Sequence, residues 1–540
     1  MVRRIIPALV AALLGMAAGD SARAQPAADA SERAPKHPSD QLATWIDERF
    51  AGLWKDAGLE PREVVDDATF LRRVYLDLVG SIPSVAQTRD FLADESPSKR
   101  SRMIEQLLAE PRSSAHLARV FQRIMVPNGS PGMGFAPQFG TWLQQQFAAR
   151  VPYDKMVRTL VTANPNAPFP AFLGPGQPAP RSGSAGAFYR AVGGTPDTVA
   201  SSMSRVFLGV RIGCAKCHNH PFAEWRQDDF WGMAAFFASA PMAVQPNAQG
   251  DTKAEDTRIT TIKPADSDKV YTVRLLWSED EVKVPNDKKP RQYLADWLVS
   301  KDNPNFAATA VNRVWQQLCG QGLIPHVDDL DQASPKQRNV VLNDLARQFV
   351  DAEYDVQWLI SGICKSRVYQ RPSATGDDPP ADSPLSIHRP LKSLSPQQVF
   401  DSLEQALMLP VGRNDAQSAR YNSQGATLMA RLNEASSDSP DQFKAGIPQA
   451  LAIMNGVLVS NATDLDESRT LRAVLDAPFL GPTEKIETLY LATLTRKPDA
   501  EEVERLQAYL ARYTDKDERR RAYTDIYWAL LNNPEFILSR

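Results

Sequence analysis

Apolar residues recur along most of this chain at the spacing of helices. In "ATFLRRVYLDLVGSIPS", residues 68–84, Phe70, Leu71, Val74, Tyr75 and Leu78 share one helical face, Arg73 and Asp77 form an i,i+4 pair, and Gly80 stands where the helix must stop. Pro83 fits the opening turn of the next helix, which runs through Phe91. Amphipathic runs follow at 102–108 and 141–149. Further on, Thr195 is placed to cap a helix that begins with Pro196, with Asp197 against its positive end. That helix delivers the chain to Cys214, and "QDDFWGMAAFFASA" then resumes an apolar helical run in which Asp228 and Asp229 begin the helix.

The pattern breaks twice before the chain's midpoint or close to it, and softens twice after it. Residues 164–186 carry so much Pro, Gly and Ser that no regular element is predicted there. Between 256 and 285, "RITTI", "KVYTVRLLW" and "EVKV" are rich in β-branched residues and predict a small β segment. Helices return in "YLADWLVS", "FAATAVNRVWQQLCG", "QRNVVLNDLARQFVDA" and "VQWLISGICKSRVYQ". A soft stretch at about 372–384 and a polar loop around 410–425 interrupt the remaining helices. The predicted fold is mainly α. Two helical domains, 42–240 and 290–540, are joined by a Pro/Gly-rich loop, a C-x-x-C-H segment and a small β segment within 241–289. "YLDLVGSIP" at 75–83 and "YLATLTRKP" at 490–498 echo each other, which common helix punctuation is enough to explain.

The N-terminus predicts export. Arg3 and Arg4, an apolar run from Ile5 to Ala18 and Ala22-Arg23-Ala24 before Gln25 match a secretory signal over 1–24, followed by a disordered tether over 25–41. No later segment has the roughly 20 apolar residues of a spanning helix, so a periplasmic protein with no membrane span after signal cleavage is expected. Lys and Arg number 61 against 64 Asp and Glu, with no basic stripe, which argues against a nucleic-acid partner. No G-x-S-x-G surrounds any serine, and six histidines leave little for a hydrolase triad.

Cysteine is scarce at four residues, and two of them share one motif. "GVRIGCAKCHNHPFAEW", residues 209–225, sets Cys214, Cys217 and His218 in a C-x-x-C-H with His220 two places on. Two thiols at that spacing reach the two vinyl groups of one porphyrin edge, and the next histidine turns onto the iron, as in c-type haem attachment. Met233 is a candidate sixth ligand, with Met203, Met125 and His116 as further options and open coordination as the alternative. Two other readings compete: a zinc or iron site made by Cys214, Cys217, His218 and His220, and a plain Cys214–Cys217 disulfide. Cys319 and Cys364 are either a pair stapling two helices or two buried thiols. Asp328, Asp329 and Asp331 have calcium-like chemistry without EF-hand spacing, so a solvated loop or helix cap is expected. Trp45, Trp54, Trp297, Trp315 and Trp358 fall at core spacing.

Four stretches, "FLRRVYLDLVGSIPS", "FLGVRIGCAKCHNHPFAEWRQDDFWGMAAFFA", "ADWLVSKDNPNFAATAVNRVWQQLCGQGLI" and "ALLNNPEFILSR", resemble the paired planctomycete domains of unknown function associated with cytochrome c. The resemblance spans nearly all of the chain after the tether. It implies an exported protein whose relatives often carry a separate N-terminal cytochrome c domain and accompany sulfatase-like proteins. No such extra domain is expected here. Cys214, Cys217, His218 and His220 match the family's C-x-x-C-H-x-H, and Pro221 and Phe222 match the residues after it. Two functions are therefore carried forward. One is a c-type haem protein of electron transfer or redox catalysis, with a redox partner protein. The other is a non-haem binding or scaffold protein of a polysaccharide or sulfatase-associated system, its loop fastened by metal or disulfide.

Overall fold

Nine consecutive residues of one early helix are buried, and the helix contributes side chains to both apolar cores of the described residues. That helix is Asp67–Leu78, begun by the Asp66 side chain accepting from the Thr69 N–H at 2.9 Å. It ends where Gly80, at φ 83°, turns its N–H back to the Tyr75 carbonyl at 3.0 Å. The computed structural model describes residues 38–540 apart from 167–182, 222, 240–257, 279, 331–339, 375–387, 410–415, 435–455, 457–458, 461–462 and 466–467. The expected signal, the tether up to residue 37 and most of the Pro/Gly-rich loop therefore lie outside the described residues. Residues 39–41, expected as the end of the tether, are instead the first turn of a helix, Ser39–Asp56, with Ser39 buried.

Phe70, Leu71, Val74, Tyr75 and Leu78 enter a first apolar core, built from residues between Leu42 and Tyr369. Leu76 and Ile82 enter a second, built otherwise from residues between Leu394 and Phe536. Burying both sides of the helix forces its charges to find partners inside the protein. Arg72 donates to the carbonyls of Thr493 at 3.0 Å and Phe536 at 2.7 Å, and Arg73 to that of Tyr369 at 2.7 Å. Asp77 accepts from the Tyr369 hydroxyl at 2.8 Å and pairs with Lys392. The expected Arg73–Asp77 contact along the helix thus gives way to partners about 300 residues away in sequence.

Helices make up most of the described structure, as the periodicity predicts. Strand pairing is limited to two short antiparallel pairs among the described residues, Thr261–Ile262 with Tyr271–Thr272 and Lys392–Ser393 with Leu538–Ser539. "EVKV" adds no strand among the described residues; the Val282 N–H donates to the Val273 carbonyl at 3.0 Å. The polar loop expected around 410–425 is helical from its seventh residue on, within Ala416–Glu434. Pro83 lies just ahead of its helix, Val85–Ala93, which Ser84 caps by accepting from the Gln87 N–H at 3.2 Å. No described helix is long and apolar enough to cross a membrane.

The sequence echo has a structural counterpart. Pro482–Leu494 ends at Thr495, left-handed at φ 62°, and Ala500–Leu510 starts from a capping box of Asp499 and Glu502. Asp67–Leu78, Gly80 and the Ser84–Gln87 capping box repeat that order.

Candidate functional site: the Cys/His turn

The helix that leads into the motif is Pro196–Leu208, with proline at its first position and the Thr195 N–H donating to Thr198 Oγ1 at 3.2 Å. It stops at Gly209, whose φ of 65° swings the chain away. A Cβ there would lie 2.6 Å from Leu330 Cδ1 and 3.0 Å from Thr309 Oγ1. Gly209→Ala is therefore expected to cost about 1–3 kcal/mol, from left-handed strain and overpacking. Differential scanning calorimetry checks this, and an unchanged Tm would mean that the turn relaxes freely.

Beyond Gly209 the chain is held by Asp328 and its neighbour Leu330. The Leu330 N–H donates to the Gly209 carbonyl at 2.8 Å, and Arg211 reaches Asp328 at 3.1 Å. Arg313 and Arg205 converge on the same carboxylate, which is 3 % exposed. Burial opposes the charge on Asp328, yet Arg313, Arg205 and Arg211 outweigh it and hold the carboxyl below its usual range. The expectation of a solvated loop or cap at Asp328 is thus corrected: it is a buried hub that fixes the entry to the motif. Asp331 lies outside the described residues.

Gly213–Lys216 forms one 3-10 turn, pinned to the core through Ala215. Cys214 and Cys217 are free thiols at its surface, and His218 beside them is exposed. The turn is supported by the helix Gln227–Ala235, itself started by the Asp229 side chain accepting from the Arg226 N–H at 2.8 Å. Gln227 Nε2 donates to the Cys217 carbonyl at 2.8 Å and the Trp231 indole N–H to the Lys216 carbonyl at 3.1 Å. The Lys216 side chain adds a 2.6 Å ion pair to Asp197. Two thiols and an imidazole are thereby presented at the surface of a backbone tied on both sides.

The two histidines of the motif differ in a way that spacing cannot express. His218 Nδ1 lies 2.7 Å from the Asn219 carbonyl, so Nδ1 carries the proton and Nε2 keeps its lone pair. His220 Nδ1 accepts the Ala223 N–H at 2.9 Å, which puts the proton of the neutral ring on Nε2. His218 is set up as a ligand through Nε2, the usual arrangement for a metal-binding histidine that donates its other N–H to a carbonyl. His220 is set up as a local tie, with its backbone N–H donating to the Trp225 carbonyl at 2.8 Å. Among the described residues no three His, Cys, Asp or Glu side chains are grouped to hold a metal ion, so the four motif donors do not converge as they stand.

The sixth-ligand candidates are elsewhere. Met233, Met203 and Met125 are each 1 % exposed and packed in the first core, and His116 is buried against Gly80. None of these four side chains shares the open surface of His218. Cys319 and Cys364 are both free and buried, so of the two expectations for them the buried thiols are what is found. Burial pushes the Cys319 thiol up to about 11 and that of Cys364 well above its ordinary value. Of the tryptophans expected in the core, Trp54, Trp315 and Trp358 are buried and Trp45 and Trp297 pack against it.

Comparison with known families locates the turn. A model described as PSCyt2, a protein of unknown function (DUF1549), matches residues 45–242, and one described as PSD1, a protein of unknown function (DUF1553), matches residues 290–425. The chain belongs to this paired planctomycete family. The Cys/His turn and both helices that hold it fall within the first matched span of the pair. No curated protein and no solved structure matches the chain. Asp328 lies within the second span, and sequence reasoning misses it as a positioning residue because Arg205 and Arg211 stand more than a hundred residues away.

Proposed function

We propose that this protein is an exported, periplasmic c-type haem protein of electron transfer or redox catalysis. Cys214 and Cys217 would be the thioether anchors and His218 the iron ligand. The observation that carries this reading is the pair of opposite histidine tautomers, which leaves Nε2 of His218 as the available imidazole nitrogen beside two free thiols. A haem bound there would supply one-electron chemistry. The protein's part is to keep the thiols exposed, to orient His218 through the Asn219 carbonyl, and to brace the turn through Gln227, Trp231 and Lys216. An exposed centre of this kind suits contact with a redox partner protein.

The test is a pyridine haemochrome spectrum of the protein matured in a periplasm equipped for haem attachment. A c-type band is expected. In the native protein, His218→Ala should alter the absorption spectrum of the attached haem, whereas His220→Ala should leave it unchanged. Absence of the band from the wild-type protein would overturn the reading and return the turn to zinc, iron or a disulfide.

A further inference from the structure

Trp277 breaks two rules at once: it is 51 % exposed, and its backbone is left-handed at φ 62°. Bulky residues seldom adopt that conformation, because the Cβ crowds the following carbonyl. Its neighbours are firmly placed. Leu275 and Leu276 are buried, the Ser278 N–H donates to the Leu275 carbonyl at 3.3 Å, and the Arg274 N–H donates to the Gly232 carbonyl at 3.1 Å. The outward turn of the indole is thus held by the fold.

Two more tryptophans brace it. Trp225 meets Trp277 edge-on with centroids 5.5 Å apart, and Trp297 lies at 6.5 Å and 38°. The Trp225 carbonyl accepts the His220 N–H, so this aromatic group adjoins the Cys/His turn. Glu224 and Arg226 on either side of Trp225 are exposed, as are Asp280, Glu281 and Lys283 just after Trp277.

We propose that Trp277 is the stacking platform of a subsite for a neutral saccharide beside the Cys/His turn. An indole buries about 150–250 Å² in all, and half of one falls far short of the roughly 800 Å² per partner that a stable protein interface needs. One pyranose ring matches it in size, with an apolar C–H face for the indole and hydroxyls for the polar surroundings. Among the described residues, three exposed carboxylates against two exposed cations, Arg226 and Lys283, leave these neighbours close to charge balance, which suits an uncharged sugar better than a polyanionic one. The inference goes beyond the haem reading and uses none of its residues.

Affinity electrophoresis and calorimetry of the full chain against neutral glucan, mannan and xylan, with a sulfated glycan alongside, test it. Binding to at least one neutral glycan is expected, at least tenfold weaker in Trp277→Ala, partly kept in Trp277→Phe and unchanged in Trp528→Ala, which alters another exposed indole. A thermal melt of each variant separates lost binding from lost fold. Failure of the wild-type protein to bind any neutral glycan, binding of the sulfated glycan alone, or equal affinity in Trp277→Ala would overturn the proposal. So would a change in oligomeric mass without a change in glycan binding, which would assign the indole to a second copy of the chain.

Discussion

Cys214→Ser/Cys217→Ser is expected to carry no covalent haem while keeping its fold. Both thiols are exposed and unpaired, and the turn is held through Ala215 and backbone carbonyls rather than through sulfur. Surface substitutions of this kind usually stay within about 0.5 kcal/mol. The haemochrome band should vanish, and the urea midpoint measured on haem-free samples of both proteins should not move. A band that survives the double substitution would place the haem elsewhere. A loss of about 2–5 kcal/mol instead would show that the sulfurs fasten the loop, as a disulfide does.

Asp77→Ala should produce the largest loss of stability. Its carboxylate is buried, paired with Lys392, bonded to the Tyr369 hydroxyl and 4.0 Å from Arg389. Removing it leaves Lys392 and a buried Arg389 without this counter-charge, at a cost of about 3–5 kcal/mol. Against a total of about 5–15 kcal/mol for an ordinary protein, that is a large share. Tyr369→Phe removes one bond to the same carboxylate and should cost less, about 1.5–3 kcal/mol. Urea denaturation of the two variants checks the order. Equal, small losses would mean that the cluster is held together without Asp77.

These two sites differ in where their partners come from. Pro196 and Thr195 act on their immediate neighbours, so the start of the helix that enters the motif is legible from its own residues, whereas its stop at Gly209 is held by Leu330, over a hundred residues away. The spacing of Cys214, Cys217 and His218 is legible for the same reason. Asp77 is different. A helical pattern pairs it with Arg73, but distant segments pack over the helix and supply Lys392 and Tyr369 instead. Residues 416–425 look like a loop because they are polar, yet they form part of a 19-residue helix.

By itself the sequence determined the mainly helical class, the family, the start of the helix leading to Cys214 and the spacing of the Cys/His motif. These depend on short-range geometry and residue type. Only the tertiary structure decided which histidine keeps its Nε2 lone pair, that Asp328 is a buried hub, that Met233 is closed in the core and that Trp277 faces outward. Each of these depends on a partner, or on burial, contributed by distant parts of the chain or by a backbone turn that no periodicity encodes.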